Sequence, residues 1–399
     1  MLLGLNTLAA SLIWGINTLF LLDAGLTNTQ AFAANAFFTA GMVLFEVPTG
    51  VIADTIGRRT SYLLGAATLA VSTILYLVAW QVTAPFAVWA VVSMLLGLGF
   101  TFFSGAVEAW LVDALGATGF TGNLDSVFAK GQVVMGVAML GGSVAGGVIA
   151  QASNLGVPYL VRGIILGVTF VAAFIFMKDL GFSPAKRGHF LHETKHIFRA
   201  SLTHGLGNPP IRWLMLAAPF TAGVGIYAFY ALQPYLLQLY GDESAFVIAG
   251  LAAAITAGAQ IVGGLSVRYV RRLFARRTTA ILVGIAGGAL LLGGIGLTDS
   301  LWVALALLTA WAFLFSAIVP MRQAYLNGLI PSKQRATVLS FDSLMGSTGG
   351  VVVQPVLGRA ADVWSYSTSY VVGAAIQAAA LPFVLLARRE RAGSDRIED

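Results

Sequence analysis

The chain has 399 residues, of which 58% are hydrophobic and 10% charged, where a soluble domain carries about 25% charge. That balance excludes an ordinary water-soluble domain, and the absence of cysteine excludes a disulfide scaffold or a thiolate metal centre. A formal net charge of +6 would suit nucleic acid, but where the charges fall points elsewhere.

Apolar runs recur from end to end, at 2–22, 31–52, 61–82, 86–113, 126–150, 157–177, 211–236, 246–267, 278–297, 301–325, 336–358 and 366–387. Each is near or above the ~18 residues that a helix needs to cross a bilayer, so the chain is expected to be an all-α protein embedded in lipid. The first run has no basic leader and continues the pattern, which reads as a span and not as a cleaved signal. With both termini placed in the cytoplasm, 21 of the 23 Lys and Arg residues fall on the cytoplasmic side, leaving only Arg162 and Arg359 outside. This bias sets the orientation of a multi-pass protein in the cell (plasma or inner) membrane. It also accounts for the positive charge without a nucleic-acid partner.

Span 1 carries Asn17, and span 2 carries Asn35, Phe38 and, near its end, Glu46. The turn that follows reads Gly50-Val-Ile-Ala-Asp54-Thr-Ile-Gly57-Arg58-Arg59-Thr60. Solubility of a short turn does not call for two glycines, an acid and an Arg pair. The pattern resembles the Gly-x-x-x-Asp-x-x-Gly-Arg-Arg signature of the major facilitator superfamily. That resemblance implies twelve transmembrane helices in two pseudo-symmetric six-helix bundles, 1–180 and 211–387, exposing one mid-membrane site alternately to either side. It further implies a cytoplasmic latch, in which Asp54 faces the positive N-terminal end of helix 11 and Arg58 pairs with Asp113.

Span 4 holds Phe103 and Glu108 in apolar and aromatic company. A charge inside a span costs at least about 2.5–3.5 kcal/mol, so an acid there demands a purpose. Glu108 is a candidate proton carrier or a counter-charge for a cationic substrate; a structural partner for Arg322 or Lys130 is the other reading. Glu46 lies close enough to the loop to pack against it. Span 5 is rich in glycine, and Gly142-Ser143-Val144-Ala145-Gly146-Gly147 resembles the superfamily's antiporter signature Gly-Pro-x-x-Gly-Gly, with Ser143 in place of the proline. Small residues at such spacing let helices approach closely.

The polar segment 181–210 reads as a cytoplasmic linker, with Phe190, Ile197 and Phe198 spaced for an amphipathic helix on the membrane face. It contains His192-Glu193-Thr194-Lys195-His196, which fits the zinc motif His-Glu-x-x-His. Position 202 is Leu, so no third ligand follows at metzincin spacing, and the motif lies outside any span. Neither enzymatic activity nor a metal or other cofactor is expected.

In the second half, Tyr227, Tyr230 and Gln233 lie on span 7, Gln260 on span 8 and Trp311 on span 10. Gly264 followed by Arg276-Arg277-Thr278 echoes Gly50 followed by Arg58-Arg59-Thr60, and Tyr325-Leu326-Asn327 echoes Trp110-Leu111-Val112-Asp113. Arg322 and Asp342 sit at the facing ends of spans 10 and 11, where a gate or structural salt bridge is expected. Residues 388–399 form a cytoplasmic tail. Together with Asn17, Asn35, Phe38 and Phe103, the mid-span groups make a mostly neutral, aromatic surface suited to a bulky amphipathic small molecule. No Gly-x-x-x-x-Gly-Lys-Ser/Thr loop is present, so a proton gradient is the expected driving force. The reading is a proton-coupled exporter of drug-like molecules, functional as a monomer. A nutrient symporter or facilitator shares the scaffold, and a lipid flippase is a further alternative.

Overall fold

The computed structural model describes residues 1–103, 106–122, 124–182, 205–330 and 335–397. Among these the chain is all α-helix, apart from short 3-10 turns and one isolated antiparallel bridge between Arg276 and Arg396. The first half contains α1 (Leu2–Trp14), α2 (Asn17–Asp23), α3 (Asn28–Thr55), α4 (Arg58–Gln81), α5 (Phe86–Thr101), α6 (Ala106–Ala117), α7 (Leu124–Ala152) and α8 (Gly156–Phe176). The second contains α9 (Pro209–Tyr240), α10 (Phe246–Val270), α11 (Arg277–Leu297), α12 (Leu301–Asn327), α13 (Arg335–Val363), α14 (Tyr366–Ala378) and α15 (Leu381–Arg389).

Among the described residues, ten stretches are long and apolar enough to cross a membrane, and α1 with α2 makes an eleventh if the bent pair is one span. Helix α13 has 29 residues, ample length, but Arg335, Asp342, Arg359 and Asp362 dilute its apolar character. Among the described residues span 1 is sharply bent, while spans 4 and 12 carry short interruptions without a bend above 40°. Span 1 bends by 49° between α1 and α2, at Gly15-Ile16. Span 4 is interrupted after Thr101, where Phe102 and Phe103 form a turn before α6. Span 12 breaks at Ala379-Ala380, because Pro382 has no N–H to continue the ladder and suits only the first turn of α15. Prolines inside α3, α9, α12 and α13 are tolerated. Nearby hydroxyls take up carbonyls beside two of them, Thr49 donating to Phe45 O at 2.8 Å and Thr221 to Ala218 O at 3.2 Å.

The chain divides into two compact units. The first takes in Met1–Leu26, residues 37–182 of the described chain and Ser244–Ala254; the second takes in Thr27–Ala36, residues 205–243 and residues 255–397. Within the first unit α1 packs mainly on α7, and α4 on both α8 and α5. The second unit repeats the scheme with α9 on α13, and α11 on α14 and α12. The echoes read in the sequence are therefore echoes of packing. Glycines set the closest approaches: a Cβ on Gly146 of α7 would fall on the Leu12 carbonyl, and one on Gly349 of α13 on the Pro219 carbonyl.

Aromatic side chains fill the first unit away from its Arg58-Arg59 end. Phe20, Tyr76, Trp89 and Tyr159 form one cluster, with Phe20 and Tyr159 stacked at 4.0 Å between centroids. The Tyr159 hydroxyl donates to Asn17 Oδ1 at 2.9 Å, which ties Asn17 to this cluster.

Candidate functional site

The signature loop of the first unit is built around Gly57. Its φ of 132° lies where only glycine is comfortable, and a Cβ there would sit 2.5 Å from Asp179 Oδ2. Gly57 caps α4 without a side chain, so the exposed N–H groups of the first turn need an acceptor. Asp179, just beyond α8, supplies it by accepting from the Arg59 N–H at 2.8 Å. The Arg59 guanidinium donates to Phe174 O at 2.7 Å and covers the Phe174 ring. Trp110 Nε1 donates to Lys178 O at 2.7 Å, and Gly181 packs so closely that a Cβ would stand 2.6 Å from Asp113 O.

Arg58 bonds Asp54 at 2.5 Å, one helical turn back, and approaches Asp113 only to 4.0 Å. Asp54 keeps half its side chain exposed, so its pair with Arg58 contributes up to about 1 kcal/mol. The Arg58–Asp113 pairing is present in weak form. The partner expected for Asp54, the start of helix 11 at Arg335, belongs to the second unit. Gly50 is exposed and a Cβ there would meet nothing within 4 Å, so packing does not demand glycine at that position.

The second unit has a counterpart cluster. Asp395 accepts from the Thr278 N–H at 2.8 Å and from the Thr278 hydroxyl at 3.0 Å, at the second residue of α11, as Asp179 does at the second residue of α4. Arg277 donates to Arg396 O at 2.7 Å, and Ser394 Oγ donates to Tyr325 O at 2.9 Å. The expected tail is thus pinned to α11 and α12 as far as Ile397, with Asp395 buried. Replacing either acid by alanine should cost about 1 kcal/mol, seen as a lower melting temperature in detergent, whereas asparagine should keep most of the cap.

Arg322 and Asp342 form a bidentate pair at 2.6 Å on both arms, and Arg322 also reaches Leu214 O at 3.3 Å. This ties α12, α13 and α9 together as a structural bridge.

The remaining candidates separate by burial. Glu108, expected in apolar enclosure, stands exposed on the first turn of α6, and Glu46 is exposed on α3. Its neighbours Ala106 and Val107 take the buried side of α6, and Glu108 lies off that side. Phe103 packs edge-on to Tyr62 at 4.6 Å. Tyr227 is buried, donates to Ser369 Oγ at 2.6 Å and lies against Phe32 with the rings tilted. Both make packing contacts. Asn35 and Gln233 are also buried, while Phe38, Tyr230 and Gln260 remain half-buried.

Trp311, itself buried, lines a small cavity of ≈ 70 Å³ inside the second unit, between α9, α11, α12, α14 and α15. Its stacked neighbour Phe315, with Thr221, Gln377 and Arg322, supplies the aromatic and polar parts of an otherwise aliphatic wall. Glycines 142, 146 and 147 of the antiporter-like run are close-approach positions. A Cβ on Gly142 would meet Ser11, one on Gly146 Leu12, and one on Gly147 the Phe246 carbonyl at 2.8 Å. The His192–His196 motif lies outside the described residues.

Long apolar helices and paired packing in each half define a multi-pass membrane protein. A model of the Major Facilitator Superfamily matches residues 1–352, and the chain belongs to that superfamily of secondary transporters. It is 22% identical over 385 residues, 92% of this chain and 90% of the relative, to the "Uncharacterized MFS-type transporter YxaM" of Bacillus subtilis (strain 168). Its fold is similar to that of the nucleoside transporter NupG, with TM-score 0.79 and 10% identity over 96% of this chain and 98% of that one. A bacterial homolog to the human lysosomal transporter Spinster, in an inward-facing and occupied conformation, matches with TM-score 0.72 and 15% identity over 97% and 95% of the two chains.

Proposed function

We propose that the protein is a proton-coupled exporter of drug-like or amphipathic small molecules. It works by alternating access, as a monomer in the cell membrane, with both termini in the cytoplasm. The cavity behind Trp311 carries the substrate class. Its wall is aliphatic and aromatic, Gln377 offers one amide, and Arg322 is neutralised by Asp342. At ≈ 70 Å³ the cavity seats one apolar group of a larger solute, and its lining favours a largely apolar solute over a sugar or a phosphate. Support for export comes from the close-packed glycine run of α7. Glu108 is the proton carrier in this reading, since it is exposed and Asp342 is committed to Arg322.

The test is flux in proteoliposomes under an imposed pH gradient, with cationic, neutral and anionic solutes. Uphill accumulation of amphipathic cations is expected, and Glu108→Gln should abolish the gradient-driven part while leaving downhill exchange. Gradient-driven flux at the wild-type rate in Glu108→Gln would remove Glu108 from the mechanism. Wild-type protein that moves only nucleosides or peptides, and only downhill, would overturn the proposal.

A further inference from the structure

Two helix starts are capped from afar by the same local device. In the second unit, Asp362 on the last turn of α13 accepts from the Asn28 N–H at 2.9 Å and the Thr29 N–H at 2.8 Å, and also from the Thr29 hydroxyl. Four residues earlier, a Cβ on Gly358 would stand 2.9 Å from Asn28 O. In the first unit, Gln151 on the last turn of α7 accepts from the Val247 N–H at 3.0 Å. Four residues earlier again, a Cβ on Gly147 would stand 2.8 Å from Phe246 O. Asn28 is the first residue of α3 and Phe246 the first of α10. A glycine admits the helix start, and the side chain one turn later accepts its unpaired N–H groups.

The capped segments have one more property in common. Thr27–Ala36 belongs to the second unit although α3 continues into the first, and Ser244–Ala254 belongs to the first although α10 continues into the second. Each cap therefore holds the beginning of a helix whose remainder belongs to the other unit. Around Asp362 the seat is well made: the Tyr366 hydroxyl bonds Asn28 Oδ1, and Phe32 is fully buried against Tyr227 at 4.6 Å.

We propose that Asp362 and Gln151 are paired positioning residues, two breakable latches that form and release in the same step of the transport cycle. Asp362 is the stronger, being charged and accepting several hydrogen bonds where Gln151 accepts one. The inference rests on alternating access but not on proton coupling or substrate class.

The chain contains no cysteine, so single thiols report cleanly. Ala31→Cys and Ala249→Cys each place a thiol at a buried position beside one capped start. Labelling by a membrane-impermeant maleimide is followed in proteoliposomes with neither solute nor gradient, in backgrounds carrying Asp362→Ala, Asp362→Asn or Gln151→Ala. Loss of either cap should speed labelling at both positions, roughly fivefold for an acid cap replaced by alanine. Asp362→Asn, whose amide oxygen still accepts, should stay close to wild type and serves if the alanine variant does not fold. Labelling at equal rates in all backgrounds would overturn the proposal. So would acceleration only at the thiol beside the removed cap, which is what a purely local helix cap would give. Neither outcome would touch the proton-coupling assignment, which the flux measurements judge separately.

Discussion

Arg322→Met is expected to lower stability more than removal of any exposed charge in the protein. The substitution leaves Asp342 8% exposed with both of its 2.6 Å partners gone. It also removes the donor to Leu214 O, so three helices lose their common tie. An uncompensated buried charge costs about 3–5 kcal/mol, and the lower end suits a pair whose arginine is a quarter exposed. The double variant Arg322→Met with Asp342→Leu should recover most of the loss, because an apolar pair of similar volume leaves no charge stranded. Thermal unfolding in detergent of both single variants and the double checks this. Losses that simply add would mean that the pair is not a unit.

A second large effect is expected at Gly146. Leucine there would drive its Cβ into the Leu12 carbonyl, which is backbone and has no rotamer to yield. Helices α1 and α7 would have to separate, taking with them the bond from Ser11 Oγ to Ala138 O at 3.1 Å. Overpacking of this kind costs about 1–3 kcal/mol or more. Gly146→Leu should therefore give little folded protein, or folded protein without transport. Gly141→Ala is the matched control: a Cβ there meets nothing within 4 Å, so wild-type expression and melting are expected. Equal behaviour of the two variants, by size-exclusion profile and flux, would show that close approach at Gly146 is not needed.

The residues that reveal this protein in its sequence are those with local or periodic logic. Apolar runs show the spans, and the echo of Arg58-Arg59-Thr60 in Arg276-Arg277-Thr278 corresponds to repeated packing of α4 and α11. Gly57 was legible because a glycine before an Arg pair marks a turn, and its φ of 132° shows why. The caps were not legible. Asp179 lies 120 residues from Arg59, Asp395 117 from Thr278 and Asp362 334 from Asn28, with no period linking them. Their only signal is an acid or amide just at the end of an apolar run. The apolar enclosure expected for Glu108 is absent for a related reason: hydropathy counts apolar neighbours along the chain and not which side of α6 a residue occupies. Likewise a tyrosine at mid-span says nothing of whether it faces a chamber, and Tyr227 faces Ser369.

Proton movement itself bears most directly on the central claim. Vesicles carrying the protein, loaded with an amphipathic cation and a pH-sensitive dye and clamped at zero membrane potential, are diluted into solute-free medium at equal pH. Antiport predicts that the lumen acidifies as solute leaves, and that Glu108→Gln abolishes the acidification. A lumen that turns alkaline, or one that holds its pH while solute drains through the wild-type protein, would contradict the account.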